Sequence, residues 1–163
     1  MKRIALMIAG LSVFLFALPG CGSGGGASTP QQKTATIVFS TVSSAHTAPL
    51  QGIQLTTRLP NGASVSDITT ALVGRNDTGQ LVFPTYSPNP PVVSFIIQPT
   101  GSSPIKFGQF AELTCVIASG VTLNQSSFTI AKSDLQMTGT DPNGTTVDLV
   151  PQIPVSLSVS FGY

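Results

Sequence analysis

The sequence predicts an all-β domain, an antiparallel two-sheet β-sandwich or jelly roll of about nine strands. Three observations carry that expectation. Apolar and polar residues alternate with a period of two, most plainly where Ile153, Val155, Leu157, Val159 and Phe161 interleave with Pro154, Ser156, Ser158, Ser160 and Gly162. The alternating segments are separated by clusters of turn formers, in a chain of 163 residues with 16 Gly and 13 Pro. No stretch sustains the i, i+3, i+4, i+7 apolar stripe of an amphipathic helix; the nearest, residues 67–73 (DITTALV), is short, rich in Thr and closed by Gly74, and predicts one helical turn at most.

The elements follow in order. Met1-Lys2-Arg3 supplies a positive start, and residues 4–18 (IALMIAGLSVFLFAL) form an apolar run that stops at Pro19-Gly20. That is the pattern of a secretory signal, and the run falls short of the about 18–20 apolar residues a spanning helix needs. Leu18-Pro19-Gly20-Cys21 resembles the lipobox of bacterial lipoproteins, with Leu at −3 and Gly at −1, although Pro at −2 is less usual. The resemblance implies cleavage before Cys21 and acylation of its sulfur. Each buried acyl CH₂ is worth about 0.8 kcal/mol, so one chain holds a protein reversibly and the three chains the resemblance implies hold it stably in a membrane. Gly22 stands where many such lipoproteins carry an Asp retention signal, which implies the outer membrane of a bacterial cell envelope. The chain thus divides into a signal at 1–20, a lipidated Cys21 with a Gly/Ser-rich linker at 21–33, and a folded domain at 34–163. A dozen flexible residues reach roughly 20 Å, enough to lift the domain clear of lipid head groups.

Within the domain, strands are expected at 35–42, 53–59, 63–68, 81–83, 92–98, 109–118, 128–137, 145–149 and 153–162. Turns are expected at Pro60-Asn61-Gly62, Asn76-Asp77-Thr78-Gly79, Ser87-Pro88-Asn89-Pro90-Pro91, Pro99-Thr100-Gly101 and Asp141-Pro142-Asn143-Gly144. Phe39, Phe95, Phe110, Phe128 and Phe161 fall in strand patterns and are expected in the core. Cys115 shares the alternation of Leu113 and Ile117, which makes it a buried, unreactive thiol.

Composition narrows the function. Only 8% of residues are charged and the formal net charge is +1, with no basic block to neutralise phosphates, so a nucleic-acid partner has no electrostatic basis. With 41% hydrophobic residues the chain is also too apolar for disorder. Asp77-Thr78-Gly79 matches the Asp-Thr-Gly of aspartic proteases, but that chemistry needs two carboxylates sharing a proton, and the motif occurs once. His46 is the one imidazole and sits in a loop-like stretch with nothing to fix triad partners. Asp141-Pro142-Asn143-Gly144-Thr145 has oxygen ligands at alternate positions, yet lacks a closing glutamate and reads as a tight turn. Cys/His spacing for zinc is absent. No catalytic residue, metal or cofactor is expected.

Gly52-Ile53-Gln54-Leu55-Thr56-Thr57-Arg58-Leu59-Pro60, Ala63-Ser64-Val65, and Gly108-Gln109-Phe110-Ala111-Glu112-Leu113-Thr114-Cys115-Val116 together resemble, in strand order and Gly/aromatic placement, the cohesin domains and related carbohydrate-binding modules. What the resemblance implies is a sandwich whose business is holding a partner, either a dockerin-like protein or a polysaccharide. For a glycan the expected contact is an exposed ring beside polar groups. Tyr86, on the Pro-rich stretch Phe83-Pro84-Thr85-Tyr86-Ser87-Pro88, is the candidate ring, with Asn89 beside it; the alternative is a Tyr packed over a sandwich edge. A second function class stays open, a structural or assembly lipoprotein of a secretion or surface-fibre complex whose edge strands pair with neighbouring copies.

Overall fold

The structure is a computed structural model that describes residues 33–42 and 48–163. The signal, the lipobox with Cys21, the linker up to residue 32, and His46 lie outside the described residues.

Ten strands run through the described residues: β1 (Lys33–Thr41), β2 (Leu50–Arg58), β3 (Ala63–Ser64), β4 (Leu72–Gly74), β5 (Gly79–Pro88), β6 (Pro91–Pro99), β7 (Gly108–Ile117), β8 (Leu135–Thr140), β9 (Thr146–Asp148) and β10 (Val155–Gly162). They form two antiparallel sheets packed face to face. Sheet one has the order β10-β1-β7-β3, with β4 also pairing with β7; sheet two has the order β5-β6-β2-β8-β9. The all-β sandwich expected from alternation is thus the observed architecture.

Alternation sets which face is buried. In β1, Ala35, Ile37 and Phe39 point inward, and in β6 Val93, Phe95 and Ile97 do. A register shift after Phe39 places an extra residue in β7, which is why the consecutive Phe110 and Ala111 are both buried. Phe39 meets Phe95 edge to face at 5.6 Å between centroids, and Phe110 lies 6.2 and 6.4 Å from the two, so three rings join the sheets across the core. The two buried threonines are satisfied: Thr41 Oγ1 accepts from Gly108 N at 3.0 Å, and Thr57 Oγ1 donates to the Thr129 carbonyl at 3.3 Å.

The expected helical turn at 67–73 is present as α1 (Ile68–Ala71), capped by Asp67, whose carboxylate accepts from Thr69 N at 2.9 Å. It lies against β4, β5 and β7 and seals that side of the sandwich. Three expectations need correction. The strand at 63–68 ends at Ser64, because Ile68 belongs to the helix. Residues 128–137 are not one strand: Thr129 bridges Arg58, a 3-10 turn at Lys132–Asp134 interrupts the ladder, and β8 resumes at Leu135 opposite Leu55. Phe161, expected in the core, is 38% exposed, because β10 is an edge strand and Phe128, at 6.3 Å, covers only part of its ring. The tenth strand, β4, follows α1 in a stretch too short to show a period.

Candidate functional site

The outer face of sheet two carries the most distinctive surface of the molecule. Its strands turn Ile53, Leu55, Val93, Phe95, Ile97, Leu135 and Met137 into the core, so the intervening residues face out. The registers place these in rows across the sheet. Gln80 stands opposite Gln98, and Gly52 opposite Thr138. One row along, Val82 faces Ile96, Ile96 faces Gln54, and Gln54 faces Gln136. In the next, Thr85 and Thr56 flank Ser94, with Thr56 Oγ1 and Ser94 Oγ 2.9 Å apart.

Four glutamines therefore cluster in two adjacent rows of one sheet face. Each offers two N–H donors and a carbonyl acceptor on a flexible stem. Gln51, Gln54, Gln98, Gln136 and Thr138 ring a depression of about 230 Å³ whose floor includes Gly52 and Ile96. Gly52 keeps that floor open, since a Cβ there would come within 2.9 Å of Thr138 Oγ1. Charged residues stand at the margins of this face: Arg58 at the end of β2, and Lys132 and Asp148 beside Gln136 and Thr138, Asp148 with its carboxylate accepting from Val150 N. The middle is uncharged.

An aromatic ring stands at the rim. In β5 the pairing passes from Val82–Ile96 to Thr85–Ser94, so Phe83 and Pro84 together oppose Phe95 in a β-bulge. Phe83 adopts φ 51 and is 71% exposed. A bulky residue in the left-handed region is strained and uncommon. The bulge also reverses the parity of the strand. Leu81 before it faces inward opposite Ile97, and after it Tyr86, not Thr85, faces inward opposite Val93. Tyr86 is accordingly half-buried and packed against the core, while Asn89 is exposed at the hairpin tip, joined to Pro90 by a cis peptide bond. Sequence alternation passes over Phe83, and the signal for it is Pro84, since Pro inside a strand marks an edge or a bulge.

The other candidate residues lie elsewhere. Asp77 is part of an exposed turn and is held by Lys106 Nζ at 2.7 Å, a hydrogen bond that keeps its carboxyl below the ordinary value. Next to it, Asn76 Oδ1 accepts from Thr78 N and Oγ1, an Asx turn. Asp141 Oδ1 accepts from Asn143 N and Thr145 N at 2.9 and 2.7 Å, which makes its loop a tight turn closed by Gly144 at φ 82. Cys115 is a free, fully buried thiol, and burial pushes its pKa up to about 12. Among the described residues no three His, Cys, Asp or Glu side chains are grouped as metal ligands. Comparison with family models, with curated proteins and with solved structures finds no match for the chain.

Proposed function

We propose that this chain is a non-catalytic binding module, tethered to the bacterial outer membrane through lipid on Cys21, whose outer sheet-two face holds a neutral polysaccharide. The observation that carries the reading is the uncharged platform of Gln54, Gln80, Gln98 and Gln136 with the exposed Phe83 at its rim. A sugar presents hydroxyls that both donate and accept, together with an apolar C–H face. Glutamine amides match the first, and Ile96, Val82 and an exposed phenyl ring match the second. The face is open rather than enclosed, which suits a chain running past it better than a small molecule. The platform's own side chains are uncharged, and the cation at its margin, Lys132, shares its depression with Asp148, so the face suits neutral polymers better than acidic ones.

The test is retention of the purified protein on insoluble cellulose, xylan and mannan, with polygalacturonate as an anionic comparison. Retention on at least one neutral polymer is expected, with a loss of at least tenfold in Phe83→Ala and in the double variant Gln54→Ala/Gln136→Ala at unchanged melting temperature. Equal retention of parent and variants, or capture by polygalacturonate alone, sinks the proposal. Calcium-dependent recovery of an envelope protein in place of glycan would move the reading to a dockerin-like partner.

A further inference from the structure

The sandwich is closed on one side and open on the other. Where β4, β5 and α1 meet, the helix covers the seam between the sheets. At the opposite side, β10 ends sheet one, with no strand beyond it among the described residues. The other edges are guarded in the ways that keep sheets from pairing. β3, β4 and β9 are two or three residues long, and β5 carries the Phe83-Pro84 bulge and Pro88. β10 has no proline, charge or bulge, and its cover among the described residues is the short 3-10 turn Gln125–Ser127. It runs eight residues in uninterrupted register with β1, from Val155 opposite Thr41 to Gly162 opposite Thr34, without proline or charge.

Its free side is defined by hydrogen bonding. The Pro154 carbonyl accepts from Val42 N at 2.9 Å, so the even-numbered backbone groups turn toward β1. Those of Val155, Leu157, Val159 and Phe161 turn outward. Among the described residues, the outward side receives one side-chain donor, Gln125 Nε2 on the Leu157 carbonyl at 3.5 Å, the outer limit of a hydrogen bond. Beneath this edge, Phe128, Ile130, Val155 and Leu157, with Gln125, Ser126 and Thr129, line an open groove of about 480 Å³. Val155, Leu157 and Val159 face the core side and yet remain only half-buried.

We propose that β10 pairs antiparallel with β10 of a second copy of this chain, about a two-fold axis at Ser158. The strand is complementary to itself in that register. Leu157 falls opposite Val159 and Val155 opposite Phe161, all four with outward backbone groups, so each facing pair exchanges two hydrogen bonds. On the outer face Ser156 meets Ser160, and Ser158 meets Ser158 of the second copy. The inward apolar side chains of each strand enter the groove above Phe128 and Ile130 of the other. With no charge between Val155 and Tyr163, no like charges oppose each other across the axis. Pairing joins the two first sheets into one and leaves both glutamine faces free, so it does not depend on glycan binding.

The register supplies its own test. At the axis, facing Ser158 residues form a non-hydrogen-bonded pair with Cα atoms about 4.5 Å apart, within disulfide range. Ser156 lies four residues, about 13 Å, from its counterpart. The full chain with its leader is expressed in a bacterial host and the membrane fraction is oxidised mildly, the parent chain serving as the blank. Ser158→Cys is expected to give a reducible dimer of twice the mass. Ser156→Cys and Ser160→Cys are expected to give none singly and a dimer when co-expressed. Equal cross-linking from all three, no cross-link at Ser158→Cys, or a mixed disulfide with a different protein overturns the proposal. As a second measurement, the parent chain in detergent sediments as a dimer and Ser158→Lys, an exposed change that opposes two ammonium groups, as a monomer; a monomeric parent overturns it equally.

Discussion

Phe83 shows how one position joins conformation to the proposed function. Its φ of 51 costs a non-glycine residue about 1 kcal/mol or more, and with 71% of its surface exposed little burial offsets that. Phe83→Asn, which tolerates the left-handed region, is expected to stabilise the fold by about 1 kcal/mol in urea titration while weakening polysaccharide retention. Loss of stability on this change would show that the ring is needed for folding rather than for contact. Cys115 makes the opposite case, a residue whose burial follows from alternation alone. Its thiol should resist alkylation in the native state and react fully on unfolding. Because burial raises its pKa from 9.0 to about 12, the folded state keeps the thiol protonated after the unfolded chain has begun to ionise. Its contribution to stability is intact below pH 9.0 and declines as pH rises toward about 12, which melting curves of the parent and Cys115→Ala compared across that range would display. Of the two readings open for Tyr86, the ring packed over a sandwich edge is the one observed, for a definite reason: a bulge adds one residue, and one residue turns every later side chain to the other face.

Strands with unbroken alternation are legible in the amino-acid sequence. β1, β2, β6, β7 and β10 each lie within three residues of the expected bounds. The departures occur where the ladder is interrupted, at the Phe83-Pro84 bulge and at the 3-10 turn Lys132–Asp134, because both break the period without a Gly-rich turn to announce it. The platform is hidden for another reason. Gln80, Gln98, Gln54 and Gln136 are scattered along the chain, and only strand order and register bring them together. Close packing between elements gives a sharper prediction. A Cβ on Gly139 of β8 would lie 2.7 Å from the Pro49 carbonyl oxygen and 2.7 Å from Leu149 Cδ1. Backbone does not yield cheaply, so Gly139→Ala is expected to cost roughly 1–3 kcal/mol by chemical denaturation. At α1, hydrogen bonds from the Thr69 side chain and backbone hold the Asp67 carboxyl below its ordinary 3.8. A lowered folded pKa means the cap's contribution is present above pH 3.8 and lost as pH falls through the folded value. Asp67→Asn should flatten that part of the acid melting profile.

Taken whole, the molecule is a sandwich held by a small aromatic centre, and the proposed glycan contact and the proposed pairing fall on different sheets. Phe39, Phe95 and Phe110 draw on both sheets, so Phe95→Ala is expected to cost roughly 3–5 kcal/mol, a large part of the ~5–15 kcal/mol that a domain of this kind commands. If calorimetry instead found both sheets melting separately, the shared core would not be what holds them. Sheet one contributes a long edge free of proline and charge, and sheet two a glutamine platform with a ring at its rim. The measurement that bears on that second surface without relying on mutation is an NMR titration of the isotopically labelled protein with soluble oligosaccharides of the retained polymer, followed at the glutamine side-chain amides. Saturable shifts are expected at Gln54, Gln98 and Gln136, with Gln109 and Gln152, which lie off this face, unmoved. Shifts confined to the hairpin tip at Asn89, to the β10 edge, or to no site at all would remove the platform as the place where this protein meets its ligand.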